Sequence, residues 1–134
     1  MLKHAEAFSG FSVNDLAAAK EFYGTTLGVP LEEIPAGVNL NIGNGILIYP
    51  KEDHAPATYT ILNFPVDNID EAVDELAGKG IKFEQYAGIT DHKGVARGLA
   101  HDRGPDIAWF KDRQATSCRS FNEGEFPSPH RGEG

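Results

Sequence analysis

The chain has 134 residues, 40% of them hydrophobic, which supports one domain or two small halves sharing a core and excludes a third domain. Its formal net charge is −8 and its twelve basic residues are scattered, so a nucleic-acid role is excluded, because binding phosphate needs a Lys/Arg surface. Cys118 is the single cysteine, which rules out an intrachain disulfide or a thiolate zinc cluster, and no stretch approaches the length of a membrane span.

In chain order, Met1–Ala7 holds charges and lacks the apolar run of a secretion signal; with the lone cysteine, this points to the cytoplasm. Glu6–Val13 reads as a strand. Asp15–Leu27 reads as a helix, with Leu16, Ala19, Phe22, Tyr23 and Leu27 at helical spacing, Asn14 or Asp15 as its cap and Gly28 as its end. Leu31–Ile34, Val38–Ile42 and Ile46–Tyr49 read as short strands. They are separated by Pro35-Ala36-Gly37 and by Gly43-Asn44-Gly45, a hairpin turn whose Asn and Gly tolerate positive φ. The polar stretch Pro50–Pro56, with proline at both ends, marks a boundary. Beyond it the plan returns: Thr58–Val66 as strand, Ile69–Ala77 as helix with Ile69, Ala72, Val73 and Leu76 on one face, Gly78 and Gly80 closing it, and Ile81–Tyr86 as strand. Ala87–Gly104 is loop-rich, with extended structure around Val95–Leu99, and Ile107–Phe110 is a buried strand. By symmetry one more strand should follow.

The return is visible residue by residue. Val13-Asn14-Asp15-Leu16 followed by Gly28-Val29-Pro30-Leu31-Glu32 reappears as Val66-Asp67-Asn68-Ile69 followed by Gly80-Ile81-Lys82-Phe83-Glu84. A strand-helix-strand unit duplicated at this spacing predicts an α+β fold of two βαβββ modules forming a curled mixed sheet with helices on its outer face. The modules are expected at 1–50 and 57–112, joined by a linker at 51–56 and followed by an atypical tail at 113–134.

This order, together with FSVNDLAAAKEFYGTTLG, ILNFPVDNIDEAVDELAGKG and GPDIAWFKD, resembles the vicinal oxygen chelate superfamily, which contains glyoxalase I, bleomycin-resistance proteins and extradiol dioxygenases. The resemblance covers about residues 5–112. It implies that each half curls into half of a cup holding a small molecule, usually with a divalent metal. The family's ligand set is a His or Gln on the first strand, a Glu on the fourth, a His on the fifth and a Glu on the eighth. Carried onto this chain, the first- and fifth-strand positions are Phe8 and Ile61, each five before a strand-end valine, and neither side chain can coordinate a cation. The fourth strand, Gly45–Tyr49, offers no carboxylate either. The expectation is a metal-free member with no cofactor and no catalytic residue. His4, His54, His92, His101 and His130 lack the spacing of a preformed site and read as solvated or capping groups. His101 beside Asp102 could serve acid–base work but reads better as turn chemistry.

Strand alternation then suggests what lines the cup. Leu62, Phe64 and Val66 share the parity that packs under a helix, leaving Tyr59, Ile61 and Asn63 on the other face, with Phe8, Gly10 and Ser12 equivalent on the first strand. With Trp109 and Tyr49, the expected ligand-binding set is Phe8, Ser12, Tyr49, Tyr59, Ile61, Asn63 and Trp109. The alternative is that these side chains fill the cup as a second core.

Family members continue D-P-x-G-N and then an apolar strand where this chain reads Asp112–Asn122. Permitted codons for this stretch, read in another frame, give PAGNILSVFQ and a stop, so the tail reads either as out-of-frame sequence or as ordinary divergence. Its strand is expected from a poor substitute around Ala115–Phe121 or from a second chain. The function expected is binding of a small, partly apolar molecule in the cup or at the interface of a homodimer, without nucleic acid or membrane. The alternatives are a metal-dependent lyase, isomerase or dioxygenase using atypical ligands such as His101 and Asp102, and a structural dimer module with a filled cup.

Overall fold

The computed structural model describes residues 1–99 and 104–112 in full and residues 117–122 as backbone. Met1–Pro56 with Asp112 forms one compact unit, and Ala57–Lys111 with the strand Ser117–Asn122 forms another. The first unit contains β1 (Ser9–Val13), α1 (Leu16–Lys20), β2 (Leu31–Ile34), β3 (Gly37–Leu40) and β4 (Ile46–Pro50), in a four-stranded sheet ordered β1-β4-β3-β2. The second contains β5 (Thr60–Val66), α2 (Ile69–Gly78), β6 (Val95–Ala96), β7 (Ile107–Lys111) and β8 (Ser117–Asn122), in a sheet ordered β5-β8-β7-β6. Each sheet pairs its outer strand in parallel with the last strand of its unit, and its other pairs are antiparallel. The duplicated α+β plan is therefore present in both units.

Both helices begin and end in the same way. The Asp15 carboxylate accepts the Ala18 amide at 3.0 Å and the Asn68 side chain accepts the Glu71 amide at 3.1 Å, each satisfying a helical N–H that would otherwise lack a partner. Gly28 (φ +71°) and Gly80 (φ +92°) turn the chain out of each helix. The residues that follow fold back, Val29 N–H to Tyr23 C=O at 2.9 Å and Ile81 N–H to Leu76 C=O at 3.1 Å. The first helix is not α-helical throughout, as Glu21–Thr26 forms a π-helical turn. On that wider turn the consecutive residues Phe22 and Tyr23 are both buried, with their rings edge to face at 5.1 Å.

Alternation separates a helix face from an open face in each sheet. In the first unit Val13, Val38, Leu40 and Ile48 are buried with Ala19, Phe22 and Tyr23. The Tyr23 hydroxyl donates to the buried Asp112 carboxylate at 2.6 Å, joining the turn after α1 to the end of β7. In the second unit Ile69, Val73, Val95 and Ala108 form a buried cluster against which Val66 and Phe83 pack, with Phe110 buried between Phe64 and Phe83.

Three expectations about strands are corrected. The first strand starts at Ser9, because His4–Glu6 forms a 3-10 turn and the Asn44 amide holds the carbonyls of Ala5 and Ala7 at 2.9 and 3.1 Å, away from the ladder. The third strand ends at Leu40, two residues short of Ile42, as the Ile42 amide bonds back to the Leu40 carbonyl at 2.9 Å. Ile81–Tyr86 does not form a strand: it makes a single bridge, Phe83 to Phe110, and turns where the Tyr86 carbonyl accepts the amides of Ile89 and Thr90. The edge of that sheet is instead the two-residue β6. The last strand, expected either from a substitute around Ala115–Phe121 or from a second chain, comes from within the chain. Ser117–Asn122 pairs with β5 on one side and with β7, from Lys111↔Ser117 to Ile107↔Phe121, on the other. Ladder bonds use backbone groups that any non-proline residue supplies, and β5 and β7 would otherwise leave facing rows of them unpaired. The rest of the tail lies outside the described residues.

Candidate functional site

The open face of the first sheet carries Gly10 and Ser12 on β1, with Leu47 and Tyr49 beside them on β4; Ser12 stands directly opposite Tyr49. Phe8 precedes β1 by one residue and is 65% exposed. Ser12 makes a contact that its sequence neighbourhood does not announce, since its Oγ lies 2.7 Å from Nδ1 of His54 in the loop after β4. His54 is thus half-buried and hydrogen-bonded rather than solvated, and among the described residues its other ring nitrogen, Nε2, is buried without a hydrogen-bond partner. The pair shares one hydrogen, either the serine hydroxyl's or the imidazole's, depending on the tautomer. Of the other histidines, His4 and His92 are exposed, while His101, with Asp102, and His130 lie outside the described residues.

On the second sheet, Asn63 of β5 and Trp109 of β7 each stand opposite the same residue of β8, Arg119, and so occupy one row of the open face. The register places these two residues in one row with Arg119 of β8 between them. Tyr59 precedes β5 and is 70% exposed, and the ladder shifts register between Thr60 and Leu62, leaving Ile61 without a partner in it. Alternation therefore does not carry unbroken from Tyr59 through Ile61 to Asn63. Leu62 is buried on the helix face, in agreement with its expected parity.

Trp109 has a neighbour that sequence reasoning missed: Tyr86 packs edge to face against it with ring centroids 5.7 Å apart. Beside this pair, a cavity of about 530 Å³ opens between the 88–91 loop and the β6–β7 hairpin, lined by Ile89, Val95, Ala96, Arg97, Ile107 and Trp109 among others. The only sequence signal for it was the shared parity of Ile107 and Trp109.

Behind the cavity a charge network ties that hairpin to the first turn of α2. Arg97 binds Asp70 through both terminal nitrogens, at 2.8 and 2.9 Å, and Asp91 through Nε at 2.9 Å; Lys93 bridges Asp70 and Asp74 at 2.9 and 3.0 Å. Hydrogen bonds from Arg97 and Lys93 hold the Asp70 carboxyl well below the usual carboxylate range. Burial pushes the Asp91 carboxyl up, but bonds from the Val95 amide, Arg97 and the Lys93 amide outweigh it and its net shift is downward. A carboxylate with a depressed folded pKa contributes stability that is present above its unfolded value near 4 and is lost as the pH falls through the folded value. Arg97→Gln is therefore expected to cost about 1–2 kcal/mol at pH 7, discounted for the half-exposed position of Asp70, and the gap from the parent chain should narrow below about pH 3. Urea unfolding of both proteins across that range is the measurement; a gap independent of pH would contradict this account.

Among the described residues, no group of three or more His, Cys, Asp or Glu side chains lies close enough to hold a metal ion together. No helix among them is long and apolar enough to cross a membrane.

No curated protein sequence matches this chain significantly. Solved structures of the same fold do match. A glyoxalase family protein from Bacillus anthracis is 23% identical, with a TM-score of 0.66 over 87% of this chain and 92% of that one. The genomically encoded fosfomycin resistance protein FosX from Listeria monocytogenes is 14% identical, with a TM-score of 0.63 over 87% and 91%. A glyoxalase/bleomycin resistance protein from Streptomyces is 18% identical, with a TM-score of 0.58 over 86% and 97%. The sequence profile of the Glyoxalase/Bleomycin resistance protein/Dioxygenase superfamily matches residues 2–114, ending two residues beyond Asp112. With the βαβββ plan present twice, the chain belongs to that superfamily.

Proposed function

We propose that this protein binds a small, partly apolar molecule against the open faces of its sheets and does so without a divalent metal. The observation that carries the reading is the row of Asn63 and Trp109 on one face of the second sheet, with Trp109 lining a cavity. Ser12 and Tyr49 supply a second polar and aromatic pair on the open face of the first sheet, and Phe8, Tyr59 and Ile61 add apolar surface at the starts of β1 and β5. The donor set does not fit a metal. The two positions at which the family places its first- and fifth-strand ligands hold Phe8 and Ile61, whose side chains have no lone pair to offer. Ser12 with His54 is a single imidazole and a hydroxyl, too few for a divalent site. No chemical step is assigned to the site, and the protein is read as a binding protein of the cell interior, acting as a homodimer.

Two measurements test this reading. Adding EDTA should leave the melting temperature unchanged, since no ion contributes to folding. A fall restored by one particular divalent metal would overturn the metal-free assignment. Apolar small molecules should quench the single tryptophan, Trp109, and raise the melting temperature saturably; silence in both signals across a broad panel would favour filled sheet faces instead.

A further inference from the structure

We infer that Asn44-Gly45, in the turn between β3 and β4, is a deamidation site held closed by the N-terminal segment, and that its conversion to a carboxylate releases that segment. Asn44 is the only asparagine of the chain that is followed by glycine. Glycine has no Cβ to shield its amide nitrogen, so at such a pair that nitrogen approaches the preceding side chain most readily. The Asn44 side chain is exposed, and water reaches it.

In the reaction the Gly45 amide gives its proton to water and its nitrogen attacks Asn44 Cγ. The Cγ–Nδ2 bond breaks, Nδ2 takes up a proton and leaves as ammonia, and a cyclic imide remains. Addition of water opens the imide to aspartate, or to isoaspartate where the backbone carbonyl is the one hydrolysed. No oxidant or cofactor is consumed.

The folded chain engages both reacting groups. The Gly45 N–H donates to the Ile42 carbonyl at 2.8 Å. Asn44 Nδ2 donates to the carbonyls of Ala5 at 2.9 Å and Ala7 at 3.1 Å, which spends both of its hydrogens. Two acceptors also fix which end of the amide faces the segment, because Oδ1 in that place would set its lone pairs against two carbonyls. A carboxylate has only that arrangement to offer: it brings charge and no hydrogen, and both carbonyls lose their partner. Conversion therefore frees the His4–Glu6 turn, and Phe8 after it, from the β3–β4 turn. Release moves Phe8, part of the binding surface proposed above, but neither measurement that follows involves a ligand, so their failure would leave that reading untouched.

The full chain is incubated at neutral pH, folded and in urea, and aspartate and isoaspartate at position 44 are followed by peptide mapping. The folded chain should convert at least about tenfold more slowly, because the pair reacts only from an opened state. Ala7→Pro disfavours the helical conformation of Glu6 and removes the Ala7 N–H that bonds the His4 carbonyl, without touching Asn44. It should speed conversion in the folded chain severalfold. Equal rates folded and unfolded, or a folded rate that Ala7→Pro leaves unchanged, would overturn the protection by the segment. Release is read on Asn44→Asp, in which chymotrypsin should cut after Phe8 severalfold faster than in the parent chain, since cleavage follows the population of the opened segment. The far-ultraviolet circular dichroism spectrum should not change. Asn44→Ala, which removes the hydrogen bonds without adding charge, should be cut at a rate between the two, and carries the measurement should Asn44→Asp fail to fold. Cleavage after Phe8 no faster in these variants than in the parent chain would overturn the release.

Discussion

Phe110→Ala should destabilise the chain by about 3–5 kcal/mol, the cost of deleting a fully enclosed aromatic ring and leaving a cavity. Phe110 is 1% exposed, lies 6.5 Å from Phe64 in a near-parallel stack and 5.7 Å from Phe83 edge to face, and its backbone bridges to Phe83, helping to tie the 81–86 segment to the sheet. Phe83 also packs on the cluster of Ile69, Val73, Val95 and Ala108, so loosening it exposes that cluster to water. Urea unfolding followed by far-ultraviolet circular dichroism reads the change. Phe110→Leu, which keeps most of the apolar volume, should lose clearly less. A loss under about 1 kcal/mol for the alanine variant would mean that Phe64 and Phe83 collapse into the space, and the aromatic trio would not be the keystone of this unit.

Gly37→Ala should be nearly as damaging, by about 2–5 kcal/mol, for a different reason. Gly37 opens β3 at φ +154°, and a Cβ there would be driven into the carbonyl oxygen of Ile48 and come within 3.1 Å of the Tyr49 Cα. Neither obstacle is the flexible end of a side chain, so relief requires β3 and β4 to part at Val38↔Ile48, where both residues are buried. Gly28→Ala is the control, since its φ is +71° but nothing lies within 4 Å of the added atom. It should cost only the strain of the left-handed conformation, about 1–2 kcal/mol. Equal losses at the two positions would show that conformation alone, and not the closeness of the strands, fixes glycine at 37.

The amino-acid sequence by itself determined the duplicated plan, because each of its signals is local. Apolar spacing places the helices, Asp15 and Asn68 cap them, and Gly28 and Gly80 end them, all within a few residues. The same local patterning put Leu62 on the buried side, whereas the reading of Phe8 and Ile61 as ligand positions came only with the family resemblance. Tertiary structure decided what depends on strand register and on residues distant in the chain. The shift between Thr60 and Leu62 interrupts the alternation on which the placement of Tyr59 and Ile61 relied, and a register shift has no signature in composition. Ser12 meets His54 across 42 positions, Arg97 reaches Asp70 across 27, and Tyr86 finds Trp109 only because the 81–86 segment leaves the sheet after one bridge. The strand Ser117–Asn122 shows the same division: its side-chain pattern alternates poorly, yet the backbone rows of β5 and β7 accept it, since hydrogen-bond partners in a ladder are chosen by position and not by side chain.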